Sequence, residues 1–116
     1  MKPYNLVHFG GSESLVYVSK PHRYYKRFPL LIALPGKGQS IQQTFSTWRG
    51  IADERGMILI CPQADSDISH IVGLRNHIAR RYRVHTNQSV LAGFSTGAKL
   101  ALQMGIKYPE YFRHVI

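Results

Sequence analysis

Apolar positions along this chain fall into two kinds of run. Continuous apolar stretches occupy residues 28–34 (FPLLIAL), 57–61 (MILIC) and 89–93 (SVLAG). Uninterrupted apolarity over so short a length is the mark of a strand covered on both faces. Between these stretches the apolar spacing becomes helical. Ile41, Phe45, Trp48 and Ala52 form one stripe, and Ile68, Ile71, Val72, Ile78, Ala79 and Tyr82 form a second. Residues 96–108 make a third helix that Pro109 ends. Ser40 is placed to cap the first helix, with Gln43 completing a capping box and Gly56 as its stop. Residues 4–9 and 14–19 read as short strands around Gly10-Gly11, residues 20–27 as a polar loop, and residues 114–116 as the start of another strand.

Strands alternating with helices predict βαβ units, hence an α/β fold with a mostly parallel sheet and right-handed crossovers. The two leading strands predict an antiparallel edge on that sheet. At 116 residues the chain is one domain, residues 1–116. No repeat, low-complexity tract or linker divides it.

Composition narrows the class. Apolar residues make up 44% and aromatics 11%, a globular balance rather than a disordered one. No apolar run reaches the ~18 residues of a membrane span. Residues 1–8 hold no apolar signal core, and the single cysteine, Cys61, excludes an internal disulfide. A cytoplasmic protein with a buried Cys61 is expected. The net charge of +9 is concentrated at residues 20–27 and 80–83, where Arg and Lys alternate with Tyr. Such clusters suit a polyanion, but no RNA- or DNA-binding motif accompanies them. A solvated loop and helix face is the preferred reading.

Two short motifs carry chemistry. Gly93-Phe94-Ser95-Thr96-Gly97 fits G-x-S-x-G, with a strand before it and a helix after it. A serine hydroxyl is a weak nucleophile and needs an exposed position and a base. A strand-to-helix elbow supplies the position, and it sets the Thr96 N–H at a helix N-terminus where an oxyanion is stabilised. The second motif, Pro35-Gly36-Lys37-Gly38-Gln39, follows a buried strand and opens a helix. It is not a P-loop, because position 31 is Leu and Gly38 follows Lys37. It is not a dinucleotide fingerprint, because position 41 is Ile. An oxyanion loop donating through the Lys37 N–H, with Gly36 and Gly38 bordering substrate, remains beside the plainer reading of a tight turn. No HExxH and no paired Cys/His spacing points to a metal, and no cofactor is expected.

With residues 48–63 (WRGIADERGMILICPQ) and Tyr108-Pro109-Glu110-Tyr111-Phe112, these motifs resemble the α/β-hydrolase superfamily, most closely esterases grouped with polyhydroxybutyrate depolymerases and feruloyl esterases. The resemblance runs from about Ser14 to Ile116. It implies that Ser95 is the nucleophile, that the Thr96 and Lys37 N–H groups form the oxyanion hole, and that a small-molecule or polymeric ester is the substrate. The family loop usually begins His-Gly where this chain has Pro35-Gly36, and Ala98 stands where a second Gly is common.

In this superfamily the acid and the histidine follow the nucleophile. Downstream of Ser95 stand only Glu110 and His114, one helix beyond the elbow, where the family has neither partner. His70, His77, His85, Asp65 and Asp67 lie upstream, and no spacing selects one of them; surface or capping roles are expected. The domain therefore reads as the N-terminal half of an esterase, truncated after the elbow helix and nearly inactive alone. A sheet cut there exposes an edge, which favours self-association.

Overall fold

The computed structural model describes residues 3–19, 28–82, 84–93, 95–110 and 112–116. The basic segment 20–27, Arg83 and Phe94 lie outside the described residues. The elements run β1 (Asn5–Phe9), β2 (Ser12–Val18), β3 (Phe28–Leu34), α1 (Ile41–Arg55), β4 (Ile58–Cys61), α2 (Ile68–Arg81), β5 (Val84–Gly93), α3 (Thr96–Lys107) and β6 (Phe112–Val115).

The six strands form one mixed sheet in the order β1-β2-β4-β3-β5-β6. β1 and β2 are antiparallel, β2 is antiparallel to β4, and β3, β4, β5 and β6 are mutually parallel. The predicted antiparallel edge is therefore present. The further strand expected after the elbow helix is present as well: β6 pairs with β5, beginning at Phe112 rather than at residue 114.

The apolar runs become the centre of the sheet because they can be buried on both sides. Leu30, Leu31, Ile58, Leu59 and Ile60 have no exposed surface. Alternate residues feed two cores. On one face Leu30, Ile32, Ile58 and Ile60 pack with Ile71, Leu74 and Ile78 of α2 and Ala101 and Met104 of α3. On the other face Leu31, Ala33 and Leu59 pack with Ile41, Phe45 and Ala52 of α1. α1 starts as the sequence predicts. Ser40 Oγ accepts from the Gln43 N–H at 3.0 Å, and Gln43 Oε1 accepts from the Ser40 N–H at 2.8 Å. Gly56 ends it in the left-handed conformation at φ 66°, ψ 47°, which costs glycine nothing. A Tyr17 hydroxyl donating to Asp53 ties β2 to α1, with Arg49 3.6 Å from the same carboxylate.

Candidate active site

All parallel strands end at one edge of the sheet, and the two sequence motifs meet there. β5 ends at Gly93, and α3 begins with Ser95 as its N-cap. Ser95 has φ 60° and ψ −118°, and among the described residues it alone, other than glycine, has a positive φ. Such a conformation costs of order 1–3 kcal/mol and persists only where its surroundings impose it.

The surroundings are two glycine contacts. A Cβ added to Gly93 would fall 2.4 Å from both the carbonyl carbon and oxygen of Gly97. A Cβ added to Gly97 would fall 2.4 Å from the Leu34 oxygen and 2.8 Å from the Pro35 oxygen. The elbow thus closes on itself through Gly93 and presses against the β3–α1 loop through Gly97. The two motifs, more than 50 positions apart by number, are in backbone contact. Ser95 is exposed, and its side chain makes no capping bond to α3. Its hydroxyl is not committed to the helix it begins.

The β3–α1 loop is a hydrogen-bonded turn. The Gln39 N–H donates to Gly36 O at 3.1 Å, with Gly38 at φ 83° in the position that requires glycine. The Gly36 N–H donates to Gln39 Oε1 at 2.8 Å. Neither bond uses the Lys37 N–H. At the elbow, Ser95 O accepts from Ala98 and Lys99 at 3.1 and 3.4 Å. The Thr96 N–H is in the first turn, where no intrahelical acceptor exists. Gly36 is buried, whereas Lys37, Gly38 and Thr96 are exposed. Sequence reasoning missed Gln39. Its place three residues after Gly36, as the side-chain acceptor within the loop motif, was the available signal.

The structure disperses the other candidates. His70 and His77 share one face of α2, and both pack against Phe9 of β1, at 5.7 and 5.1 Å between ring centres. Gly73 between them lets that ring approach, since a Cβ there would sit 3.1 Å from it. Asp67 caps α2, its Oδ1 accepting from the His70 N–H at 2.7 Å. Asp65 is exposed in the same β4–α2 connection. β3 separates that connection from β5. His8 pairs with Glu13 at 3.2 Å across the β1–β2 hairpin. His85 is the second residue of β5 and Ser95 follows its last, so a strand length of roughly 25 Å separates their backbones. His114 sits on β6 in register with Val90, and Glu110 is exposed in the turn beyond α3, whose C-terminus lies at the opposite edge. Cys61, the last residue of β4, is fully buried, and desolvation pushes its thiol up to about 12. It stays protonated and unreactive. Among the described residues no group of three or more His, Cys, Asp or Glu is placed to hold a metal ion. No helix among them is long and apolar enough to cross a membrane.

A sheet in the order 1-2-4-3-5-6 with a strained serine between its fifth strand and the next helix defines the α/β-hydrolase fold, and this chain has it through the elbow helix and the strand after it. Solved structures bear this out. An acetyl xylan esterase from Aspergillus awamori superposes with a TM-score of 0.82 at 15% identity, over 97% of this chain and 50% of that one. The fluorophosphonate-binding serine hydrolase F of Staphylococcus aureus gives 0.80 at 14% identity, over 97% and 54%. An S-formylglutathione hydrolase from Agrobacterium tumefaciens gives 0.77 at 18% identity, over 97% and 54%. The chain thus spans about half the length of each. No protein-family model matches the sequence, and no curated protein matches it.

Proposed function

We propose that this chain is the nucleophile-bearing part of a serine hydrolase acting on carboxylic esters. The observation that carries the reading is the backbone of Ser95, φ 60° and ψ −118°, at a strand-to-helix turn with its hydroxyl uncommitted. Ser95 Oγ would attack the ester carbonyl carbon, its proton passing to a base. The Thr96 and Lys37 N–H groups would hold the oxyanion. Collapse of the tetrahedral intermediate breaks the ester C–O bond, the alcohol leaves with a proton, and water then releases the acid from the serine. Gly36 and Gly38 border the substrate. Esters of polymers, as in the polyhydroxybutyrate depolymerase-like group, and small esters both fit this reading, and a cytoplasmic setting suits the lone buried thiol of Cys61.

The base is the part that no described residue supplies. Loss of triad members in serine proteases leaves only about 10³–10⁴-fold catalysis over water. This chain alone is therefore expected to turn over p-nitrophenyl esters at a trace rate. The reading is tested by labelling with a fluorophosphonate probe and mapping the adduct. Modification of Ser95, lost in Ser95→Ala, supports it; a probe that marks other residues equally well sinks it.

A second reading is a binding or assembly module on a hydrolase fold. It is favoured by exposed apolar surface: Leu102 is 59% exposed, Ile106 81% and Ile116 59%. A groove of about 540 Å³ beside β6, lined by Ile51, Met57, Val90 and Ile116 among others, adds to it. Such surfaces drive association. Light scattering separates the two: a concentration-independent monomer argues against assembly.

A further inference from the structure

One residue, Gln39, holds both peptide planes of Gly36. Pro35 brings no N–H to the β3–α1 loop, so the first donor after β3 is the N–H of Gly36, a buried residue. A buried N–H needs an acceptor. It finds one in a side chain, Gln39 Oε1, at 2.8 Å. The Gln39 N–H in turn donates to Gly36 O at 3.1 Å. Both polar atoms of Gly36 are therefore bound by Gln39, one through its side chain and one through its backbone.

Each of these atoms shares a plane with a group at the candidate site. A trans peptide is flat, and its N–H and C=O point opposite ways. Among the described residues every peptide bond is trans. The Gly36 N–H is coplanar with the Pro35 carbonyl. With that N–H held at Gln39, the Pro35 oxygen points the other way and lies against the elbow, 2.8 Å from where a Cβ on Gly97 would stand. The Gly36 carbonyl is coplanar with the Lys37 N–H. With that oxygen held inside the turn, the Lys37 N–H points out of it. One plane seats the loop on the elbow, and the next one aims the donor.

We propose that Gln39 is a positioning residue for acyl transfer at Ser95: its carboxamide locks the Pro35–Gly36 peptide, and through it the angle at which the loop presents the Lys37 N–H to the reacting carbonyl. The inference rests on the reading of Ser95 as the nucleophile and of the Lys37 N–H as an oxyanion donor. Without the side-chain acceptor the buried Gly36 N–H is left unpaired, and rotation of its peptide plane towards another partner relieves that cost. The rotation takes the Pro35 oxygen off Gly97 and swings the Lys37 N–H with it.

The test is the rate at which a fluorophosphonate labels Ser95 in three variants. Gln39→Met keeps the side-chain length and removes the acceptor. It is expected to slow labelling at least about tenfold, part of the ~10²–10³-fold that a whole oxyanion donor supplies. Gln39→Glu still accepts from the Gly36 N–H, and in roughly 0.5 M salt, where its charge is screened, it should label close to the wild-type rate. Ser40→Ala breaks the neighbouring capping bond without touching Gly36 and should leave the rate as it is. Amide NMR of the Ser95 adduct adds a readout that lost stability alone does not move. In the wild type the Lys37 and Thr96 N–H signals should both shift on labelling; in Gln39→Met the Thr96 shift stays and the Lys37 shift is lost. If Gln39→Met does not fold, Gln39→Asn, too short to reach the Gly36 N–H, takes its place. Wild-type labelling by Gln39→Met, an equal loss in Ser40→Ala, or a Lys37 signal that labelling leaves still overturns the proposal. If wild-type Ser95 takes no label, the nucleophile reading fails by itself. The locking of the loop is then decided in the unlabelled protein. Lys37 and Gly97 amide signals that move in Gln39→Met but not in Gln39→Glu support it; signals that stay in place overturn it.

Discussion

Two serines open helices at the same edge of this sheet, and the chain holds them in opposite ways. Ser40 sits in extended backbone at φ −80°, ψ 163°, and its side chain and backbone N–H are both tied to Gln43. Ser95 sits in strained backbone at φ 60°, and its side chain caps nothing. Topology does not separate them, since each follows a parallel strand and precedes a helix on this edge. What separates them is the packing beneath. The Ser40 turn is held by its own side chains. The Ser95 turn is held by glycines pressed against backbone, which leaves the serine unused by the fold. A cap stabilises its helix; an elbow costs stability and delivers an unoccupied hydroxyl.

The strongest way to break this contrast is to remove the room the elbow needs. Gly97→Val puts side-chain atoms onto the Leu34 and Pro35 carbonyls, and Gly93→Val puts them onto Gly97. Each is expected to lower stability by about 3 kcal/mol or more in urea denaturation. A loss under about 1 kcal/mol would mean that the glycines do not hold the turn.

A third strand end sharpens it. Cys61 closes β4 as Gly93 closes β5, yet its nucleophilic atom is buried and kept as the thiol. Burial raises its pKa from about 9 to about 12, so the thiolate is available to the unfolded chain but not to the fold. Stability is then intact below pH 9 and lost as pH rises towards 12, by up to about 1.4 kcal/mol per unit. Tyr17, also raised by desolvation and by its bond to Asp53, acts in the same direction above 10. Cys61→Ala should flatten the limb that begins near 9. An unchanged alkaline profile would count against a buried thiol.

The smaller effects carry opposite signs at the two serines. Ser40→Ala should destabilise by about 1 kcal/mol through the lost cap. Ser95→Gly should stabilise by about 1 kcal/mol, because glycine tolerates a positive φ. Ser95→Ala keeps the strain and should change stability by under about 0.5 kcal/mol. Thermal unfolding of the three variants side by side checks the set. Equal signs at Ser40 and Ser95→Gly would erase the distinction.

Much of this could be read from residue order, because the informative signals are local. The capping box at Ser40 and Gln43, the stop at Gly56 and the G-x-S-x-G turn each lie within a few residues. The continuous apolar runs report burial on both faces, which is what the central strands have. Non-local facts were not legible. β5 extends back to Val84 through a polar stretch, T-N-Q, that looks like a loop until pairing with β3 is known. β2 begins at Ser12 because it pairs with β1 across Gly10-Gly11. Arg75, off the apolar stripe of α2, is 3% exposed and donates to the equally buried Ser89 at 3.3 Å. His70 and His77 were expected in surface or capping roles, and Phe9, more than 60 positions earlier, makes them packing partners instead. The contact of Gly97 with Leu34 and Pro35 joins two motifs that the sequence could only place separately.

β6 does more than extend the sheet by one strand. Its last ladder bonds reach the elbow: the Ile116 N–H donates to Leu91 O at 2.7 Å, and the Gly93 N–H donates to Ile116 O at 3.2 Å. The amide of Gly93 therefore exchanges with solvent only when this end of β6 lifts away. Its exchange rate is a clock on the edge strand, readable in deuterated buffer with no substrate present. Protection of that one amide reports how firmly the edge strand grips the end of β5 on which the nucleophile turn is built.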